Sequence, residues 1–238
     1  MTLDARRHRL WQAMGLGPVW QQRSPAATAM GSEAVDPRAD RIAHLGWDEL
    51  AAETAQCRAC PLGETRKQAV FGVGYRRAEW MLVGEAPGAE EDARGEPFVG
   101  QAGKLLDNML ASIGLTREGE TPQSVFIANV LKCRPPNNRN PEPAEVAQCQ
   151  PFLRRQVELV NPKLVVVMGR FAAQALLGTD ASIASLRGQV HHIDVAGRRV
   201  PVVVTYHPAY LLRSLGDKAK SWADLCFARD VHAREAAD

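Results

Sequence analysis

Residues 80–107 read WMLVGEAPGAEEDARGEPFVGQAGKLLD, from Trp80 to Asp107. The run Trp80-Met81-Leu82-Val83 has the length and unbroken apolarity of a short buried strand. Leu105, Leu106, Met109, Leu110 and Ile113 recur at helical spacing. Gly84 to Asp107 is therefore read as a strand-to-helix loop running into that helix. In an open parallel sheet such loops lie at the carboxyl edge of the strands, where ligands bind. Gly84, Gly88, Gly95, Gly100 and Gly103 would let backbone approach a ligand closely. Glu85, Glu90, Glu91 and Asp92 crowd carboxylates onto the same loop, and Phe98 stands as an aromatic among polar neighbours. A plain connector is shorter and chemically blander.

Working outward, Val125 to Val130 is a second β-rich run. Leu164 to Met168 (LVVVM) is continuous enough to be a strand buried on both faces. Val190–Val195 and Arg199–Thr205 flank Ala196-Gly197 as a possible hairpin leading into a core strand, Val202-Val203-Val204, and Val70–Val73 is a further short candidate. Helical segments are expected at 47–56, 101–113, 141–160, 170–177 and 217–233. Strands separated by helices indicate an α/β fold with a parallel sheet and helices on both faces. Gly84, Asn129, Gly169 and Tyr206 each fall just past a strand end, so the unusual residues collect at one edge of that sheet.

Three parts are expected along the chain. Residues 1–22 read as a short helical extension, with Leu3, Leu10 and Met14 roughly on one face. Residues 23–45, rich in Ser, Pro, Ala and Gly, read as a flexible linker. Residues 46–238 form the folded domain. The 238 residues are 45% hydrophobic, enough for a real core, and the formal net charge of +2 does not by itself argue for nucleic-acid binding. No apolar run approaches a membrane span, and the first residues have no signal-peptide core, so a cytosolic protein is expected.

Cysteines in such a protein point to metal or catalysis before disulfides. Cys57-x2-Cys60 followed by Cys133 and Cys149 supplies four thiolates, which suit an iron–sulfur cluster or tetrahedral zinc. The spacing from Cys133 to Cys149 is open for a zinc ribbon and favours a [4Fe–4S] cluster, with zinc as the alternative. The polar stretch between these two cysteines makes them poor core residues. That stretch, with Arg134 and Arg139, could be pinned by a metal at both ends and hold phosphate. Cys226, among Trp222, Leu225 and Phe227, reads as a buried core residue.

The second chemical motif is Tyr206-His207-Pro208-Ala209-Tyr210-Leu211-Leu212-Arg213, directly after the last core strand. It offers a donor over the sheet edge, then two consecutive apolar residues and an arginine in a loop. Exposed apolar wedges beside a basic residue are what a protein needs to unstack a duplex.

Taken together, GEAPGxxEDxxGxPFVGxAGxLLD, ANVLKCRPP, the four cysteines and HPAYLLR resemble the iron–sulfur family 4 uracil-DNA glycosylases over residues 46–235. The resemblance implies a three-layer αβα fold around a four-stranded parallel sheet, a [4Fe–4S] cluster on Cys57, Cys60, Cys133 and Cys149, and excision of uracil from single- and double-stranded DNA by a monomer. It implies that Phe98 stacks on the flipped uracil and that the Asn129 amide reads its N3–H and O4. His207 would donate to O2, and the backbone at Glu85 and Ala86 would line the pocket. Leu211 or Leu212 would fill the gap in the helix, with Arg213 near a phosphate. Better-known glycosylases of the superfamily carry an Asp where this chain has Ala86. The residue that positions water is therefore sought at Glu91 or Glu85, Glu91 slightly ahead, with Asp92 bracing the loop. A related branch traps its product through a histidine in an inserted loop; no His lies between Asn129 and Cys149 here, so covalent capture is not expected. The competing expectations are a wider base range (hypoxanthine, xanthine, 5-hydroxymethyluracil), a catalytically silent DNA-binding protein, and a redox protein. The redox reading lacks a second cofactor motif.

Overall fold

The computed structural model describes residues 13–15 and 36–235; most of the expected extension over 1–22, and residues 23–35 of the expected linker, lie outside that range. In chain order the elements are α1 (Pro37–Ala43), α2 (Trp47–Gln56), α3 (Leu62–Thr65), β1 (Val73–Gly74), β2 (Trp80–Gly84), α4 (Ala89–Arg94), α5 (Gln101–Ser112) and β3 (Phe126–Asn129). There follow α6 (Pro143–Val160), β4 (Leu164–Met168), α7 (Arg170–Leu177), α8 (Ile183–Leu186), β5 (Val190–Val195), β6 (Arg198–Thr205), α9 (Pro208–Leu211) and α10 (Lys218–Glu235).

The strands form one sheet in the order β1-β3-β2-β4-β6-β5. Its centre, β3-β2-β4-β6, is parallel. The expected four parallel strands are all present, but the sheet has six strands, because β1 and β5 add antiparallel edges. β5 and β6 are the hairpin anticipated around Ala196-Gly197, with both turn residues at positive φ. The expected strand at Val70–Val73 shrinks to Val73–Gly74.

Strand alternation divides the core in two. Met81, Val83, Ala128, Val165, Val167, Val202 and Val204 face one way, onto Leu153, Val157 and Val160 of α6 and Ala172 and Ala173 of α7. Trp80, Leu82, Ile127, Val166, Met168 and Val203 face the other, onto Leu106 and Leu110 of α5 and Ala228 and Val231 of α10. The three-layer αβα arrangement follows from strands that are apolar on both faces. A third cluster brings Ile42, Leu50, Leu62, Leu131 and Phe152 around Cys133 and Cys149.

Two boundaries differ from the sequence reading. Within the stretch taken as linker, Pro37 opens a helix, and Ile42 is fully buried, so packed structure begins before Gly46. Within the loop from Gly84 to Asp107, Ala89–Arg94 is itself helical, between Gly88 and a left-handed Gly95. Cys226 is only partly buried. Among the described residues no helix is long and apolar enough to cross a membrane.

Candidate active site

The parallel strands β2, β3, β4 and β6 end at a common edge, and their exits line a cleft of about 690 Å³. Glu85 and Ala86 follow β2, Asn129 ends β3, Gly169 and Arg170 follow β4, and Tyr206 and His207 follow β6. Phe98 and Glu91 complete the wall from the loop between β2 and α5.

Asn129 is 2% exposed, and its Oδ1 is buried without a hydrogen-bond partner among the described residues. An orphaned buried acceptor costs roughly 1–3 kcal/mol, so it marks a place where a ligand donor belongs. The backbone holds Asn129 in place. Gly84 pairs with it across the sheet, and Lys132 Nζ donates to its carbonyl at 2.7 Å. A methyl group at Gly84 would collide with Asn129 Oδ1 and come within 2.7 Å of the Phe98 ring, so only glycine leaves the space open.

Phe98 adopts φ 56°, in the left-handed region that a side chain rarely enters, and is 6% exposed. Its ring lies 5.4 Å from that of His207 at an interplanar angle of 29°. Gly103 permits this, since any side chain there would strike the Phe98 carbonyl.

His207 caps α9: its Nδ1 accepts the Ala209 backbone N–H at 3.1 Å. With Nδ1 acting as acceptor, the proton of the neutral ring sits on Nε2. Burial pushes the imidazole pKa down to about 4; the Arg213 charge adds to the fall, and Glu91 opposes it. The ring is thus a neutral donor at physiological pH.

The two candidate carboxylates differ sharply. Glu91 Oε2 accepts from Gly88 N–H at 3.1 Å, and Oε1 accepts from Val99 N–H at 3.0 Å and Gly100 N–H at 3.2 Å. Both oxygens of Glu91, the residue expected slightly ahead of Glu85 to position water, are thus engaged by the backbone of the loop itself. Asp92, 3% exposed, braces the same loop by accepting the Lys67 backbone N–H at 2.9 Å. Glu85 receives no side-chain hydrogen bond from the described residues. Burial raises its pKa, and the charge of Arg170 works against that rise.

Leu211 is 1% exposed and packs inward from α9, whereas Leu212 is 41% exposed. Of the two residues expected to fill the gap, Leu212 is the one left exposed, because the turn of α9 rotates its neighbour into the protein. Arg213 is exposed on the cleft rim. Arg134 lies outside the cleft lining and donates from Nε to Asn138 Oδ1 at 2.8 Å. His191 Nε2–H donates to the Leu186 carbonyl at 2.7 Å, and His191 is not among the cleft-lining residues.

Other residues join the cleft, and of these Arg170 was not singled out in sequence. Arg170 opens α7 on the cleft beside Glu85, and its only signal was the glycine before it. Arg139 reaches the cleft while paired to the buried Glu145. Tyr206 and Tyr210 stack at 4.9 Å, and Tyr210 Oη donates to Asp217 Oδ2, tying the cleft wall to the segment after Leu212. Leu215, in that segment, is 64% exposed.

Cys57, Cys60, Cys133 and Cys149 line one small cavity, between the start of α3, the chain after β3, and α6. Cys133 and Cys149 are buried, and Cys57 and Cys60 are partly exposed. Arg66 Nη1 donates to Cys133 Sγ at 2.8 Å, and the Lys132 backbone N–H donates to Cys149 Sγ at 3.2 Å. Burial raises both thiols, Cys149 to about 12, while Arg66 opposes the rise at Cys133. Buried sulfurs that receive hydrogen bonds from one guanidinium and one backbone N–H suit a site meant for thiolates. Among the described residues no three His, Cys, Asp or Glu side chains converge closely enough to hold a single metal ion.

Fold and cleft define a three-layer α/β protein with a site at the carboxyl edge of its parallel strands: one buried amide edge, one aromatic wall and one neutral imidazole donor. A sequence model of the uracil DNA glycosylase superfamily matches residues 71–226. The chain is 48% identical over 169 residues to a type-4 uracil-DNA glycosylase of Archaeoglobus fulgidus, covering 69% of this chain and 82% of the relative. It is 42% identical over 174 residues to a type-4 uracil-DNA glycosylase of Thermotoga maritima, covering 72% and 86%. A type-5 uracil-DNA glycosylase of Pyrobaculum aerophilum is 35% identical over 195 residues, covering 70% and 84%. This chain belongs to the uracil DNA glycosylase superfamily, in its type-4 branch.

Proposed function

We propose that the protein hydrolyses the N-glycosidic bond of uracil in DNA, releasing uracil and leaving an abasic site as the first step of repair. The observation that carries the assignment of the pocket is the buried, unpartnered Oδ1 of Asn129 beside Phe98. Uracil presents a donor at N3 and an acceptor at O4; cytosine presents an acceptor and a donor at the same positions. An amide held with its oxygen toward N3 therefore discriminates between them.

The remaining roles follow from the charge that must develop. Bond breaking leaves an oxocarbenium ion on the sugar and an anion on uracil O2 and N1. His207 Nε2–H donates to O2, as a neutral donor fixed by Ala209. Phe98 supports the flat ring. Glu85, whose carboxylate is free of protein donors, orients water toward C1′, and Glu91 keeps the loop shaped around it. Leu212 enters the gap left by the extruded nucleotide, and Arg213, Arg134 and Arg170 meet phosphates.

Cys57, Cys60, Cys133 and Cys149 would hold a [4Fe–4S] cluster. Four cysteines lining one cavity, with Arg66 donating to Cys133 Sγ and an open Cys133–Cys149 spacing, support a polynuclear anionic group over zinc. Hydrolysis moves no net electrons, so such a group serves here as a cross-link joining α3, the chain after β3, and α6. The Cys133–Cys149 segment that it pins carries Arg134 and Arg139.

The test is excision from an end-labelled oligonucleotide carrying one uracil, followed by alkaline cleavage, with cytosine, hypoxanthine and xanthine controls. Breaks at uracil and not at cytosine are expected. Absence of breaks with cofactor-loaded protein would overturn the assignment.

A further inference from the structure

The helix α1 lies upstream of the first cysteine pair and outside the span matched by the superfamily. It is nevertheless seated on the cysteine site. Ile42 is fully buried in the cluster that contains Leu62, Phe152, Cys133 and Cys149. Arg38 bridges from α1 to both sides of the site: Nη2 donates to Cys57 Sγ at 3.4 Å, and Nη1 donates to the Gln148 carbonyl at 2.9 Å. Its guanidinium carbon lies 5.0 Å from the centroid of the Phe152 ring.

The placement is selective. Cys133 and Cys149 are already sheltered, and their sulfurs receive Arg66 and the Lys132 N–H. Cys57 and Cys60 are the solvent-facing pair. Arg38 lies over that open side. A [4Fe–4S] core in its usual oxidised state is formally dianionic when four thiolates hold it. Arg38 and Arg66 bring two permanent positive charges to its ligands, each as a hydrogen-bond donor to sulfur.

We propose that α1 is a cover for the cysteine site, and that Arg38 protects the Cys57 corner of the cluster from oxidative loss. This rests on the cluster reading above. The vulnerable reaction is the loss of one electron to an external oxidant such as ferricyanide. The cluster then sheds one ferrous ion, [4Fe–4S]2+ becoming [3Fe–4S]+, and one cysteine ligand is released. A guanidinium on Cys57 Sγ holds the thiolate in place, and its position over the Phe152 ring restricts access to the corner.

The experiment uses the full chain, purified anaerobically, as wild type, Arg38→Gln and Arg38→Lys. Iron and zinc content are measured first. Ferricyanide is then added while absorbance near 400 nm and the [3Fe–4S]+ paramagnetic signal are followed, and melting curves check folding. Arg38→Gln should lose its cluster roughly fivefold to tenfold faster, the size of one ordinary hydrogen bond, as a 3.4 Å contact to sulfur warrants. Arg38→Lys, which keeps charge and part of the stem, should fall between. Equal lifetimes in all three proteins, with iron bound, would overturn this inference and leave the cofactor reading intact. Wild-type protein carrying zinc and no iron would overturn both.

Discussion

Glutamate-to-glutamine substitution at two positions on one loop separates loop folding from chemistry. Glu91→Gln keeps side-chain size and removes the charge. Glu91 accepts three backbone N–H groups through both oxygens. The amide offers one acceptor oxygen and turns an NH2 toward donors, so at least one buried N–H is orphaned and the others weaken. With hydrogen bonds to charged groups contributing about 1.5–3 kcal/mol, a loss near 3 kcal/mol follows. For a domain of this size that lowers Tm by roughly 6–12 °C. Glu85→Gln behaves oppositely. Burial already disfavours the Glu85 carboxylate, so neutralising it leaves Tm unchanged or raised. Single-turnover excision should nevertheless fall about 100-fold, the scale of a lost general base or water-orienting group. The pH dependence carries the same signature. Because the folded pKa of Glu85 is raised, the folded protein holds its proton to higher pH than the unfolded chain. Its contribution to stability therefore falls as pH rises through the window above the ordinary carboxylate value, while excision rises across it. The assay pairs differential scanning fluorimetry with rapid-quench excision between about pH 4 and about pH 9, a range that runs from the ordinary carboxylate value to beyond neutrality. An active Glu85→Gln enzyme beside an inactive Glu91→Gln enzyme of wild-type Tm would refute the division of labour.

Three further outcomes are expected. His207, with a pKa pushed down to about 4, should show no imidazole titration between pH 5 and 8 by NMR. Because unfolded histidine binds a proton first, its contribution to stability declines by at most about 3 kcal/mol as pH falls from 6.5 toward 4. A native-state titration near neutrality would contradict its role as neutral donor. Leu212→Ala should slow excision from duplex more than from single strands without changing Tm, whereas Leu211→Ala should cost about 2–4 kcal/mol of stability; equal effects on both substrates would remove Leu212 as wedge. Lys132→Met should leave the Asn129 carbonyl and Gln156 Oε1 unpaired in the interior, lowering stability by about 3 kcal/mol and weakening discrimination of uracil from cytosine. Wild-type discrimination in a folded Lys132→Met variant would show that Asn129 is held without it.

The core strands were legible because Trp80–Val83, Leu164–Met168 and Val202–Val204 are apolar on every residue, which only a strand covered on both faces requires. The edges were not. β1 is two residues long and includes a glycine, so its pairing depends on β3 and not on its own sequence. AEEDAR carries no apolar stripe, and α4 forms because Glu91 closes its first turn and Gly95 ends it. α1 looked like linker because a single buried Ile42 anchors it, while Pro37 reads equally as a helix start and a loop residue. In the site, Asn129, Phe98 and His207 were named from motif and position, and the cleft gathers all three. That Glu91 is held by three backbone N–H groups needed coordinates, since only distances reveal which carboxylate is already engaged.

The crowding at Gly84 bears on how base preference can drift. A side chain there would enter the space between Asn129 and Phe98, so that wall of the cleft is fixed by the absence of a methyl group. Ala86, two residues on, also lines the cleft but is partly buried on a different cluster. Enlargement or contraction of the site is thereby channelled to one position of the loop and barred at the other. A library randomised at both should return glycine alone at 84 and a graded series of substrate ranges at 86.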